Sequence, residues 1–348
     1  MGLRMTEQKR KRLEAVADSR GVIAALAIDQ RSALRKLVAK AMNAEAGSVP
    51  AEKLVQFKEA VSRILTPHAS AILLDPEYGL PAARQRAKNA GLLLAYEETG
   101  YAKDVPGRLP RLLDGWSVAA LVAAGADCVK LLLYYSSTSA AGINDAKHAF
   151  VEKVGAECAQ ANVPFFLELV SYGEGMDDKG ADFARIKPGV VAQGMREFSK
   201  PEYRVDVLKV GLPVSLAFVE GSPAADKEIL YNRHEALAHC RGVASAAQVP
   251  FIYLSEGVSN ETFQFGLELA AEAGAKFSGV LCGRATWQDG VPVFVKQGEK
   301  ALEEWLLSDG VRNIQKVNRC LAAAQPWHTA PDHLTPSQPS RRKGRGRP

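Results

Sequence analysis

Eight short apolar runs recur along the chain, and stretches with a helical spacing of apolar residues separate most of them. An uninterrupted apolar run of this length is typical of a strand that is buried on both faces, as in a parallel sheet. Apolar residues three and four positions apart instead predict an amphipathic helix. The predicted strands are 21–28, 71–75, 91–97, 127–135, 164–170, 205–210, 250–255 and 277–284.

Helical patterns precede the first predicted strand, follow most of the others and continue beyond the last one. The predicted helices are 6–19, 32–42, 51–66, 117–124, 144–160, 188–199, 224–246, 260–273, 294–307 and 309–323. This alternation, without a break between two halves, predicts an α/β fold: a (β/α)8 TIM barrel with extra N- and C-terminal helices. A doubly wound parallel sheet is the alternative, but the first strand-to-helix turn, 28–31, lacks the glycine fingerprint GxGxxG. We expect residues 1–328 to form a single barrel domain.

The C-terminal residues 329–348 are rich in Pro, Ser, Arg and Gly, and we expect them to be a disordered basic tail. Basic residues near the C-terminus account for the net charge of +5, so residues 1–340 are close to neutral. Composition therefore gives no case for nucleic acid binding by the folded part. Weak, salt-sensitive binding of nucleic acid by the tail is the less favoured alternative.

We expect a cytoplasmic protein without membrane association. No apolar run approaches the roughly 18 residues that a membrane span needs, and the charged N-terminal segment lacks the apolar centre of a signal peptide. The five cysteines include no CxxC pair, and their odd number fits free thiols in a reducing compartment. A homo-oligomer is compatible with the sequence.

Lys209 interrupts the apolar strand 205–210 with a charge. An ammonium that loses its hydration needs a carboxylate partner, or its pKa falls and part of it becomes free amine. A free amine attacks carbonyl groups, so Lys209 is a candidate Schiff-base nucleophile. The alternative is an ordinary strand-end lysine whose ammonium reaches solvent, and for a single lysine this alternative is favoured.

Polar residues also end the other predicted strands, where the active site of a barrel lies. In chain order, they are Asp29, Asp75, Glu97, Lys130, Glu168, Lys209, Ser255 and Arg284. Lys130 and Glu168, like Lys209, lie within apolar runs, where an unpaired charge is costly. We therefore expect these three side chains and Asp29 to converge in the barrel mouth and to shift one another's pKa.

Two lysines and nearby carboxylates suit Schiff-base chemistry. One amine adds to a ketone, and a neighbouring cation helps to keep that amine deprotonated. The carboxylates shuttle protons during dehydration of the carbinolamine and cleavage of a carbon–carbon bond. On this reasoning either Lys130 or Lys209 could be the nucleophile.

Weaker signals concern phosphate and metal binding. Turns 254–259 and 282–286 contain glycine and join a strand to a helical segment, and barrels commonly bind phosphate after strands seven and eight. None of the six histidines ends a strand, and no HxH or HExxH motif occurs, so we predict no catalytic metal. The polar segment 172–183 is a candidate mobile loop near the site.

Five motifs resemble those of the tagatose 1,6-bisphosphate aldolase family, in order and with similar spacing over about residues 7–328. They are AIDQR (27–31), LLDPEYGLP (73–81), LLLAYE (92–97), VDVLKV (205–210) and VLCGRATW (280–287). The resemblance implies a (β/α)8 class I aldolase that uses no metal or cofactor. It implies reversible cleavage of D-tagatose 1,6-bisphosphate, a phosphorylated ketose, to dihydroxyacetone phosphate and D-glyceraldehyde 3-phosphate. A related ketose phosphate, such as fructose 1,6-bisphosphate or a sulfo-ketose phosphate, is the alternative substrate.

The resemblance also implies roles for individual residues. The Schiff-base lysine matches Lys209, the acid/base glutamate Glu168, and further catalytic positions match Lys130 and Asp29. Expected substrate and phosphate contacts are Gln30, Arg31, Ser255, Gly257, Gly283 and Arg284. Two positions depart from the family pattern: Gly211 replaces an acidic residue, and Glu256 replaces a small one.

Overall fold

The computed structural model describes residues 5–99, 107–226 and 228–329. Its strands are β1 Ile23–Ala27, β2 Ala71–Leu74, β3 Gly91–Ala95, β4 Cys128–Tyr135, β5 Phe165–Ser171, β6 Val207–Val210, β7 Phe251–Leu254 and β8 Gly279–Cys282. All are parallel, each pairs with the next, and β1 also pairs with β8, which closes the barrel. The predicted (β/α)8 barrel is confirmed. The doubly wound alternative is wrong, because β1 and β8 pair with each other and an open sheet has no such closing pair.

Helices surround the barrel in the predicted alternation. They are α1 Glu7–Ala15, α2 Ser32–Met42, α3 Ala51–Leu65, α4 Leu80–Gln85, α5 Val118–Ala123, α6 Ala141–Gln160, α7 Ala181–Phe198, α8 Arg233–Ala244, α9 Asn260–Glu272, α10 Arg284–Trp287, α11 Gly290–Gln297, α12 Glu299–Trp305 and α13 Val311–Arg319. No helix in the described ranges is long and apolar enough to cross a membrane. The predicted basic tail lies almost entirely outside the described residues.

Several helix boundaries differ from the prediction for local reasons. Helix α7 begins earlier than predicted, so the polar loop after β5 is shorter than the predicted segment. Helix α8 begins later, at a capping box in which the side chains of Asn232 and Glu235 each accept a hydrogen bond from the other's backbone N–H. The predicted helix 294–307 is divided at Gly298, whose φ of 87° no residue of an α-helix adopts.

Strand side chains alternate between two cores. Outward-facing residues such as Leu26 and Ile72 pack beneath the helices in one continuous cluster. Inward-facing residues fill the barrel itself with a second apolar cluster that includes Ala27, Leu73 and Phe166. This two-residue period explains why each strand is apolar along its whole length.

The N-terminal end of the barrel is closed by the two ends of the folded region. Leu13 and Val16, from the first helical segment, and Trp327, from beyond α13, join the inner cluster. The backbone N–H of Trp327 donates to the Gly21 carbonyl, 2.9 Å away, just before β1. Because this end is plugged by apolar side chains, the polar residues of the interior are confined to the other end.

Candidate active site

A polar layer lies immediately above the apolar layer of the barrel interior. Its members each follow an inward-facing apolar or cysteine residue by two positions, so the alternation of the strand points them inward as well. They are Asp29, Asp75, Glu97, Lys130, Glu168 and Lys209. All six are buried. The expected convergence of strand-end residues is therefore present in the fold.

Lys130 is the centre of this layer. Its Nζ donates to Asp29 Oδ2 at 2.9 Å and to Glu97 Oε1 at 2.7 Å, and lies 2.7 Å from Glu168 Oε2. Burial alone would lower the pKa of Lys130, but the charges of the three carboxylates outweigh it and raise this pKa well above its ordinary value. Lys130 is therefore a fixed ammonium.

Lys209 has a simpler environment. Its Nζ donates to Glu168 Oε2 at 2.8 Å, the same oxygen that contacts Lys130. The register of β5 and β6 sets this contact, because Glu168 and Lys209 are direct partners across the two strands. Glu168 Oε2 thus lies between two ammonium groups, of which one has three carboxylate partners and the other has one.

Two carboxylates of the layer, those of Asp29 and Glu168, are held in the charged form. Burial alone would raise the pKa of Asp29 and of Glu168, but Lys130 and Lys209 together bring both below their ordinary values. No described residue donates a hydrogen bond to Asp29 Oδ1, although this oxygen is buried. A buried acceptor without a donor is open to a hydroxyl group of a ligand.

Two further expected contacts lie beside the layer. The guanidinium of Arg31 is buried and donates to Glu77 Oε2 and to the backbone carbonyl of Glu97, both at 2.8 Å. Arg31 therefore holds the ends of β2 and β3 together. Gln30 lies against Gly283, and no described residue donates to its buried Oε1.

The loops after β7 and β8 form the other side of the mouth. The Arg284 guanidinium packs on the backbone of Gly257, where any Cβ would overlap it, and Gly257 has a φ of 78°. Gly283 packs against the Ala27 carbonyl at the end of β1, with room for no more than a hydrogen. Ser255 is buried at the end of β7. Because Gly257 and Gly283 have no side chains, the Arg284 guanidinium can pack on the backbone of one loop and the end of β1 on the backbone of the other.

Four side chains in or beside the layer have no role predicted from the sequence: Asp75 and Glu97 at strand ends, and two lysines on helices. Glu97 was recognised as a strand end only, although its position two residues after inward-facing Ala95 places it in the layer. Lys58 of α3 pairs with buried Asp75 and donates to the Ile28 carbonyl at 2.8 Å. Lys187 of α7 pairs with Glu256. The two helix lysines lie far from their partners in sequence, and no local pattern could have identified them.

Three of the four carboxylates of the layer surround the Lys130 ammonium, and the fourth, Asp75, pairs with Lys58. Within the described ranges, no three His, Cys, Asp or Glu side chains are grouped as a metal ion would require.

Comparison with known proteins identifies the family. The profile of the DeoC/LacD family of aldolases matches residues 23–289. A tagatose 1,6-diphosphate aldolase of Enterococcus faecalis is 50% identical over 328 residues, which cover 94% of this chain and 97% of that protein. The chain belongs to the DeoC/LacD aldolase family. A tagatose 1,6-diphosphate aldolase of Lactococcus lactis is 47% identical over 325 residues, with 93% of this chain and 98% of that protein covered. This DeoC/LacD aldolase is therefore a lyase.

A solved structure shares the fold of this DeoC/LacD aldolase. The fructose-bisphosphate aldolase of Plasmodium falciparum superimposes with a TM-score of 0.65 over 93% of this chain and 98% of that one, at 13% sequence identity. At this low identity the likeness shows the barrel fold alone.

Proposed function

We propose that this DeoC/LacD aldolase is a class I enzyme that reversibly cleaves D-tagatose 1,6-bisphosphate to dihydroxyacetone phosphate and D-glyceraldehyde 3-phosphate. The observation that carries the proposal is Glu168 Oε2, which lies 2.7 Å from Lys130 Nζ and 2.8 Å from Lys209 Nζ. The names of the relatives, at about half of the residues identical, support the substrate.

We assign Lys209 as the nucleophile. Deprotonation of Lys130 would leave three buried carboxylates without their shared cation, which is strongly unfavourable. Deprotonation of Lys209 removes one partner from Glu168, which keeps Lys130. The family motif implies the same role for Lys209.

The proposed reaction then follows from the layer. The Lys209 amine adds to the ketone at C2, and proton transfers through Glu168 allow the carbinolamine to lose water and form an iminium ion. A carboxylate takes the proton of the C4 hydroxyl, the C3–C4 bond breaks, and its electrons move into the iminium to give an enamine. Protonation at C3 and hydrolysis of the resulting imine release dihydroxyacetone phosphate and regenerate Lys209.

Asp29 is the second carboxylate that we place in the reaction. Its Oδ1 has no described donor, so it can accept a hydrogen bond from a substrate hydroxyl, while Oδ2 stays on Lys130. Glu97 acts through Lys130 by holding its Nζ at 2.7 Å. Neither assignment requires any change in the positions of the strands.

For the phosphate of the ketone half, we propose the loops after β7 and β8. The guanidinium of Arg284 is a planar donor suited to phosphate oxygens. Ser255, Gly257 and Gly283 add a hydroxyl and closely approaching backbone groups, and Gln30 extends this side of the mouth. Arg31 is the weakest of the expected substrate contacts, because its guanidinium already serves Glu77 and Glu97.

Kinetics of the Lys209→Met variant test this function. We expect wild-type enzyme to cleave D-tagatose 1,6-bisphosphate with EDTA present, and Lys209→Met to lose at least about 1000-fold in kcat. Lys200→Met removes an exposed lysine beyond α7 and should keep full activity. Parallel assays with D-fructose 1,6-bisphosphate measure the stereochemical preference. Activity that survives Lys209→Met, or that EDTA abolishes, would reject the class I assignment.

A single domain over residues 1–328, a basic tail beyond it and a cytoplasmic location stay predictions.

A further inference from the structure

An ion pair that the proposed reaction does not use lies at the mouth of the barrel. Lys187 Nζ donates to both carboxylate oxygens of Glu256, at 2.9 and 2.8 Å. The Lys187 side chain is 6% exposed, whereas that of Glu256 is 35% exposed. The pair therefore joins α7 to the loop after β7, with its carboxylate on the solvent side.

The carboxylate of Glu256 occupies space next to the nucleophile's strand. It packs on Gly211, where any Cβ would overlap it. Gly211 follows Lys209 by two positions, so a side chain there would face the same way as that of Lys209. The Glu256 carboxylate thus lies at the next inward-facing position of this strand, two residues beyond Lys209 toward the mouth of the barrel.

The same loop carries the groups proposed for phosphate. Glu256 and Gly257 both have left-handed backbones, with φ of 49° and 78°, and Gly257 supports the Arg284 guanidinium. A left-handed conformation is uncommon for glutamate. Phosphate and the Glu256 carboxylate would therefore be close neighbours of like charge.

Helix α7 holds the cation of this pair firmly. Pro188, inside the helix, has no N–H for the Ala184 carbonyl. The Tyr231 hydroxyl replaces it, donating to that carbonyl at 2.9 Å. The turn that precedes Pro188 and carries Lys187 is thus fixed from outside the helix.

From these contacts we infer that Lys187 is a positioning residue for phosphate recognition. It neutralises the Glu256 carboxylate and keeps it on Gly211, away from the phosphate beside Gly257 and Arg284. Lys187 itself does not contact the phosphate. This inference rests on the proposed function for the site, but it concerns anion binding and not the aldol chemistry.

The test is a double-mutant cycle with Lys187→Met and Glu256→Gln. Calorimetric titration with inorganic phosphate gives Kd, and assays with D-tagatose 1,6-bisphosphate give KM and kcat separately. We expect Lys187→Met to weaken phosphate binding and raise KM about tenfold or more, with kcat nearly unchanged, because an unpaired carboxylate repels phosphate. Glu256→Gln alone should bind phosphate as well as wild type or better. The double variant should recover wild-type Kd and KM.

Lys9→Met is the matched control. Lys9 is about as buried as Lys187 and pairs with the more deeply buried Asp206 at the opposite end of β6, with Nζ 2.6 Å from Oδ2. Its loss should lower stability at least as much as that of Lys187, but leave Kd for phosphate and KM unchanged. Equal changes in Kd for both variants would overturn the inference, because the effect would then be general loosening of the fold.

Two other outcomes would also overturn it. If Glu256→Gln fails to rescue Lys187→Met, Lys187 binds the phosphate itself or serves the fold alone. If Lys187→Met binds phosphate like wild type, the pair has no role in recognition. The phosphate titration does not depend on turnover. If the wild-type enzyme binds phosphate but does not cleave the ketose, the proposed function is rejected, while the double-mutant cycle for phosphate binding can still be interpreted.

Discussion

Glu168 Oε2 touches the ammonium groups of both lysines in the mouth, and the two lysines differ in what else they touch. Lys130 also holds Asp29 and Glu97, so it acts as the shared counter-ion of three carboxylates. A lysine in that position contributes to folding as well as to reactivity. The two lysine contributions can be separated by comparing stability with activity.

Lys130→Met is expected to destabilise the fold more than Lys209→Met. Without Lys130, three buried carboxylates lose a common cation, and breaking a buried pair of this kind costs roughly 3–5 kcal/mol. Without Lys209, Glu168 still has Lys130. Urea unfolding followed by circular dichroism measures both free energies of unfolding. Equal losses, or a larger loss for Lys209→Met, would contradict the central place given to Lys130.

The burial of Lys147 can be tested through the pH dependence of folding stability. Its buried Nζ donates to the Tyr172 hydroxyl at 3.2 Å and lies 5.0 Å from the centre of that ring. Burial lowers the pKa of Lys147 to about 8, against the attraction of Glu174 and with the help of Arg108. Between pH 8 and its ordinary value of 10.5 the unfolded chain binds a proton that the folded chain does not. Folding stability from this group therefore rises with pH across that interval.

We accordingly expect the free energy of unfolding of wild type to increase relative to that of Lys147→Met between pH 7 and pH 10. Subtracting the variant removes the titration of all other groups. A difference that is flat or falls with pH would show that Lys147 is not buried as described.

At the scale of elements, α7 depends on a neighbour outside it. Tyr231 supplies the hydrogen bond that Pro188 cannot, to the Ala184 carbonyl, and also lies 3.3 Å from the Arg185 carbonyl. The helix that follows β5 is therefore fixed by the segment that precedes α8. An interior proline is tolerated here because tertiary structure satisfies the carbonyl that it leaves without a donor.

Tyr231→Phe should lower the free energy of unfolding by about 1–2 kcal/mol, because a buried carbonyl loses its donor. Tyr253→Phe is the control: the Tyr253 hydroxyl is buried without a hydrogen-bond partner among the described residues. Its removal should be neutral or stabilising. Thermal and urea unfolding of both variants give the comparison, and a Tyr253→Phe loss as large as that of Tyr231→Phe would refute the role given to Tyr231.

The sequence predicts the strands well, but it predicts the starts of two helices less well. Strands were predictable because burial on both faces leaves long apolar runs, and Lys209 and Glu168 stood out against them. The sequence predicts too late a start for α7 because the polar, glycine-containing segment before Ala181 suggests a long loop and Pro188 is typical of a helix start. The sequence predicts too early a start for α8 because the apolar residues before it also have a helical spacing. The capping box of Asn232 and Glu235 marks the start that the structure shows.

Across the whole molecule, the barrel separates a plugged end from a reactive end. Leu13, Val16 and Trp327 close one end, and the polar layer fills the other. The strand pattern predicts four of the six members of the layer, Asp29, Lys130, Glu168 and Lys209, whereas Asp75 and Glu97 are predicted only as strand ends. The partners that come from helices, Lys58 and Lys187, were not predictable, because contacts between distant segments exist only once the barrel has closed.

Chemical trapping determines whether Lys209 is the lysine that forms the Schiff base. Intact enzyme is mixed with dihydroxyacetone phosphate, reduced with borohydride and digested, and the modified peptide is sequenced by mass spectrometry. We expect one reduced adduct, on Lys209, and none in Lys209→Met. An adduct on Lys130, or no adduct in an enzyme that cleaves the ketose bisphosphate, would contradict the assignment of Lys209 as the nucleophile.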